Sequence, residues 1–150
     1  MLLRRKAAAL ALAALMGGQA AVASQTREAA EPGSLFERLG GMAAITAIVD
    51  ELAAGVASDQ RLSARFQGTD MAAFKKAMSD WLCRAAGGPC AYEGKDMKTA
   101  HAGMGITGAE FNAFLENLTS AMTRRKVSDE AAGSLIGAML PSKREIVEKE

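Results

Sequence analysis

The chain reads as all-α, and three observations predict it. Apolar residues recur at helical spacing in four separate stretches, no stretch alternates apolar and polar residues as a half-buried strand would, and capping residues or glycines bound each helical run. Hydrophobic residues make up 49% of the 150, charged residues 23%, and there are three prolines. That balance suits one compact helical domain with a single core. Neither an internal repeat nor a low-complexity tract is visible.

Residues 1–23 have the layout of a cleavable signal peptide: the basic start Arg4-Arg5-Lys6, an apolar run from Ala7 to Leu15, and a small-residue site at Ala21-Val22-Ala23. The apolar run falls short of the roughly 20 residues a spanning helix needs, and Gly17, Gly18 and Gln19 interrupt it. Export, with the bacterial periplasm as destination and no stable membrane insertion after cleavage, is the expectation. The net charge of +1 becomes −2 once those three leading cations are removed. A mildly acidic body argues against nucleic acid as a partner. Residues 24–33 are polar and expected to be disordered; a folded domain over 34–141 and a charged helical tail over 142–150 complete the chain.

Within the domain, Ser34-Leu35-Phe36-Glu37 has the spacing of a capping box and starts a short helix that Gly40-Gly41 stops. The spacing of Ile45, Ile48, Val49, Leu52 and Val56 predicts a helix over 42–57 with one face in the core. Ser58 to Phe66 reads as a partly helical connection anchored by Leu62 and Phe66. Thr69 or Asp70 then caps a helix that carries Met71, Phe74, Met78, Trp81, Leu82 and Ala85 on one side. Gly87-Gly88-Pro89 ends it. Thr107 to Glu110 is a second capping box, opening a helix striped by Phe111, Phe114, Leu115, Leu118 and Met122. Ser128 caps the last main helix, with Leu135, Ile136, Met139 and Leu140 inward and Pro141 at its end.

Two features carry chemistry. Cys83 and Cys90 flank the Gly-Gly-Pro turn; a structural disulfide suits an exported protein, two free thiols being the alternative. Their spacing fits neither covalent attachment of a c-type cofactor nor a structural zinc site. His101 is the only imidazole in the chain and lies in a loop-rich stretch, Met97 to Ile106, between two helices. Any metal held through nitrogen must be held there.

From Ser34 to Leu140 the chain resembles a group I truncated haemoglobin. The resemblance rests on Leu35-Phe36-Glu37-Arg38-Leu39-Gly40-Gly41, the turn from Arg61-Leu62 to Phe66 with Gly68-Thr69-Asp70-Met71, Gly87-Gly88-Pro89 with Tyr92 and Gly94, and Met97-Lys98 before His101 with Gly103 and Gly105-Ile106. It implies a two-over-two helical sandwich around haem b, with His101 as the proximal iron ligand and Phe66 packed on the haem. Small neighbours, Ala100, Ala102 and Gly103, would let a flat macrocycle approach the backbone. The cofactor-binding candidates are Phe66, Phe74, Met78, Tyr92, Met97, Lys98, Met104, Ile106, Phe111 and Phe114. Aromatic and thioether side chains fill space around such a plate well, although ordinary helix core is their other role. Lys98 is a candidate partner for a haem propionate.

The distal side departs from the family pattern. Where group I members usually offer a tyrosine from the second helix, the matching pair is Leu52-Ala53; where glutamine is frequent, Phe74 and Met78 stand. A diatomic gas would therefore meet apolar walls with no hydroxyl or amide donor, and oxygen would be held less tightly than in tyrosine-bearing relatives. Reversible binding of O2, NO or CO is the first functional reading. The others are a haem enzyme that converts NO to nitrate or reduces peroxide with a reductase partner, an electron carrier with Met78 as a sixth ligand, and a haem-free exported helical protein.

Overall fold

A computed structural model describes residues 33–150, and the expected leader and nearly all of segment 24–33 lie outside the described residues. Among the described residues eight α-helices follow one another: α1 Leu35–Leu39, α2 Gly41–Ser58, α3 Ser63–Phe66, α4 Met71–Ala85, α5 Met97–His101, α6 Gly108–Arg124, α7 Asp129–Met139 and α8 Lys143–Ile146, the last two joined by a 3-10 turn over Leu140–Ser142. Helix α2 packs against both α4 and α6, while α7 closes against α6 and α4, so that two helix pairs lie one over the other. This is the two-over-two sandwich the sequence predicts.

The core sits where the pairs meet. Ile45, Ile48, Val49, Leu52 and Val56 of α2, Leu82 of α4, Leu118 and Met122 of α6 and Leu135 of α7 are all fully buried. Each buried aliphatic or thioether side chain contributes on the order of 1.5–3 kcal/mol relative to exposure, which outweighs any propensity of the separate segments. The capping residues do what their spacing implies. Glu37 N–H donates to Ser34 Oγ at 3.3 Å and Ser34 N–H to Glu37 Oε2 at 3.2 Å. Between the two candidates before α4 it is Asp70 that caps, accepting from Ala73 N–H at 3.0 Å.

The end of α4 is held three ways. Gly88 N–H donates to Cys83 O at 2.8 Å and Gly87 N–H to Arg84 O at 3.0 Å, the bond pair of a Schellman ending. Phe36 N–H from α1 donates to Ala86 O at 2.8 Å. The third tie is a disulfide between Cys83 and Cys90, with Cα atoms 5.9 Å apart. Gly88 has no alternative here: a Cβ would stand 2.4 Å from the Phe36 ring and 2.6 Å from Cys83 Sγ.

Two expectations need correction. Helix α2 begins at Gly41, one residue before the predicted start, and runs to Ser58. The tail 142–150 is helical only through Ile146, because its last residues find better partners than a continued helix. Glu148 N–H and Lys149 N–H donate to Ile106 O at 2.9 and 3.2 Å, and Gly108 N–H donates to Lys149 O at 3.0 Å. Thr107 and Lys149 form an isolated parallel bridge.

Reducing the Cys83–Cys90 bond should lower the unfolding free energy by about 2.5 kcal/mol, the chain-entropy value for so short a loop. A urea midpoint that stays put when both thiols are shown to be free would contradict this.

Candidate functional site

The site is built on α5, a helix of five residues that starts because Asp96 accepts from Thr99 N–H at 2.9 Å and from Thr99 Oγ1 at 2.7 Å. His101 ends it. The ring Nδ1 lies 2.8 Å from Met97 O, one turn earlier. A carbonyl oxygen carries no proton, so this contact requires Nδ1–H. In the neutral ring Nε2 is then unprotonated, with a lone pair free for a Lewis acid.

His101 borders a cavity of about 330 Å³ whose walls are largely apolar. Helix α4 contributes Phe74, Ala77, Met78 and Trp81; α5 contributes Met97, Ala100 and His101; α6 contributes Phe111 and Phe114. Phe66 closes one side and packs edge-on against Phe74, with ring centroids 5.2 Å apart and planes at 76°. Met104, Ile106 and Tyr92 complete the set of predicted residues that the fold gathers here. Leu62, Met139 and Ile146 also border the cavity. Leu62 comes from the turn before α3, Met139 from the inward face of α7 and Ile146 from the tail.

A second cavity of about 450 Å³ adjoins the first, sharing Trp81, Tyr92, Met97 and Ser142, and adds Arg84, Asp96 and Glu145. The pair of cavities is thus amphipathic, greasy near the imidazole and polar beyond it. Tyr92 stiffens the boundary by donating its hydroxyl to Lys95 O at 2.7 Å.

Three predicted site residues fall elsewhere. Leu52 and Ala53 are buried in the α2 core and border neither cavity. Their helix turns that face toward α4 and α6, so they back the site without lining it. Lys98 is exposed and borders neither cavity. The cation that borders the polar cavity is Arg84, in the last turn of α4.

The polar groups nearest the apolar cavity are already engaged. Arg65 makes a two-point ion pair with Glu110, Nε to Oε1 at 2.8 Å and Nη2 to Oε2 at 3.0 Å. It also donates to Met104 O at 2.5 Å and to Gly105 O at 3.2 Å. Glu110 in turn accepts from Thr107 N–H at 2.9 Å, completing the α6 capping box. The Arg65 guanidinium, with that backbone donor, lowers the Glu110 pKa from 4.5 to about 2.

A family model for bacterial-like globins matches residues 34–147. The chain belongs to the bacterial-like globin family. This globin is 36% identical over 121 residues to the group 1 truncated hemoglobin GlbN of Mycolicibacterium paratuberculosis, a match spanning 81% of the chain and 89% of that relative. It is 38% identical over 100 residues to the group 1 truncated hemoglobin of Tetrahymena thermophila, covering 67% of the chain and 83% of the relative. Among solved structures, the truncated hemoglobin of Tetrahymena pyriformis in its Fe(III) form superposes with a TM-score of 0.74 at 31% identity, over 76% of this globin and 97% of that chain. The 2/2 hemoglobin of Synechococcus sp. PCC 7002, which carries covalently attached heme, gives 0.71 at 29% identity, over 76% and 98%.

The family match runs past the predicted domain end at 141 and takes in α8. Packing explains why: Ser142 and Ile146 border the cavity, so the segment after Pro141 is a wall of the site rather than an appendage.

The depressed Glu110 pKa sets a pH window. A carboxylate whose pKa is lower folded than unfolded stabilises the fold above about pH 4.5 and loses that stabilisation as pH falls toward 2. Glu110→Gln should therefore unfold at lower urea than the parent at neutral pH, and the gap should close across that acid range. A gap that stays constant down to the acid limit would contradict the assignment.

Proposed function

We propose that this globin is an exported haem b protein that reversibly binds diatomic gases, with His101 as the proximal ligand and the α4 wall as an apolar distal surface. The observation that carries the reading is an imidazole whose Nδ1 is turned onto the Met97 carbonyl, at the edge of an apolar cavity inside a globin fold.

The residues present fit the cofactor. Haem is an apolar plate with two carboxylates, and the two adjoining cavities divide in the same way, with Arg84 bordering the polar one. Phe66, Phe74, Met78, Phe111 and Phe114 would bury the plate, and the ring nitrogen of His101 would hold the iron. When bound, haem iron supplies an open coordination position for O2, NO or CO.

What the chain does around that position follows from its side chains. Phe74, Ala77 and Met78 carry no donor, so a polarised ligand gains no hydrogen bond from them, and the one N–H that α4 adds to the lining is the indole of Trp81, two turns further along the helix from Phe74. A neutral hydrogen bond is worth about 0.5–1.5 kcal/mol net, or roughly a two- to ten-fold change in a dissociation rate. Oxygen release is therefore fast relative to globins with a distal tyrosine, while NO and CO, which lean less on such a donor, are less affected. An enzymatic role is the weaker reading. General acid–base catalysis needs a positioned proton carrier, and the two charged side chains that border the apolar cavity, Arg65 and Glu110, hold each other. Met78 acts as wall rather than sixth ligand.

Export to the periplasm rests on the leader layout of residues 1–23 and on the disulfide, which an oxidising compartment sustains. A reductase or other electron donor there would keep the iron ferrous.

Hemin added to the parent should give a Soret band that His101→Ala weakens or shifts, and Phe74→Gln should slow oxygen release roughly two- to ten-fold. No Soret band in the parent would overturn the cofactor reading; an unchanged release rate in Phe74→Gln would overturn the assignment of α4 as distal wall. A ferrous spectrum altered by Met78→Ala would instead favour ligation by its sulfur. Mass analysis of the exported protein should find Ser24 at its N-terminus, and retention of residues 1–23 would contradict cleavage.

A further inference from the structure

Helix α5 is too short to hold itself in place, since a single helical turn is unstable without outside contacts. Its N-terminal side is fixed by Asp96. Its C-terminal side leaves the helix at once: Ala102 is extended, and Gly103 and Gly105 lie at φ +76° and +62°, values an L side chain resists. The seat of His101 therefore depends on the packing of α8 against α5 and on whatever holds this glycine turn.

Two charged groups from distant parts of the chain hold it from complementary sides. Arg65 takes its carbonyls, donating to Met104 O and Gly105 O. Glu148 takes its amides: Oε1 accepts from Gly103 N–H at 2.7 Å and Oε2 from Gly105 N–H at 2.5 Å. The carboxylate is itself placed by backbone bonds, because Glu148 and Lys149 N–H donate to Ile106 O and Gly108 N–H donates to Lys149 O. Arg65 is held by Glu110, whereas Glu148 rides on the extended end of the tail.

We propose that Glu148 is a positioning residue for the proximal ligand, fixing the turn Gly103–Gly105 and through it the place of His101, so that the C-terminal tail governs how firmly the cofactor is held. This rests on the haem reading above. Two N–H donors converge on one side chain, so both of its terminal atoms must accept. An ionised carboxylate meets that requirement. A carboxamide does not, since its NH2 would face one of the two amides; Glu148→Gln is therefore a near-isosteric probe of the interaction.

The test compares the parent, Glu148→Gln, Glu148→Ala and, as a control on the same strap, Lys149→Ala, whose backbone bonds remain. Three readouts are taken on the full chain: the rate of hemin transfer to excess apomyoglobin, the iron–imidazole stretching band of the ferrous unliganded form, and hydrogen exchange at the Gly103 and Gly105 amides. Both Glu148 variants should lose hemin about ten-fold faster, shift or broaden the iron–imidazole band and lose protection at the two amides, with helix content unchanged and Lys149→Ala behaving as the parent. Parent-like hemin loss and an unshifted band in Glu148→Ala, with a normal Soret band, would overturn the proposal while leaving the haem reading intact. Equal effects from Lys149→Ala would also overturn it, since the strap and not the carboxylate would then matter. A parent that takes up no hemin would remove the reading beneath and this one with it.

Discussion

The hydrogen bond from His101 Nδ1–H to Met97 O is the constraint on which the site depends. It fixes the tautomer, and so which nitrogen keeps its lone pair, and it couples the ring to the backbone of a helix only one turn long. The helix adds little beyond that bond, chiefly Ala100 N–H to Asp96 O at 2.9 Å. Position must be imported, and the fold does so with Asp96 at one end and with Arg65 and Glu148 on the glycine turn at the other.

The walls follow a different logic. Phe74, Met78 and Trp81 repeat along one face of α4, and Phe111 and Phe114 along α6, so the same periodicity that builds a core also leaves these side chains around an opening. What keeps the opening from collapsing is the arrangement behind it: α2, fully buried along Ile45, Ile48, Leu52 and Val56, spaces α4 from α6. The Arg65–Glu110 pair performs two jobs at once, joining the α3 segment to the first turn of α6 and reaching the carbonyls of the proximal turn. The charges of this pair are spent on each other and on the turn rather than on the cavity.

The placement of polar groups also explains how gas binding and structural stability are kept apart. Charged pairs such as Arg61 with Glu116, or Arg124 with Glu51, sit on the surface, where each contributes little. The Cys83–Cys90 bond lies at the far end of α4 from Phe74, where it holds the turn leading toward Tyr92 and α5.

Much of this was legible in the order of residues. Helical spacing determined the faces of α2, α4, α6 and α7, capping residues determined most of their starts, and the presence of one histidine left no other nitrogen ligand of its kind. These are local properties: periodicity and caps act within a turn or two. Long-range partners are not local, and only the tertiary structure decided them. It kept Leu52 on the core face its spacing marks and put Ala53 there too, rather than at the pocket, set Arg84 and not Lys98 at the polar cavity, and unwound the tail after Ile146 so that Glu148 could reach Gly103 and Gly105 across more than forty residues of sequence. A carboxylate near the end of a chain carries no mark of which amides it will meet, because that depends on where the packed helices bring the backbone.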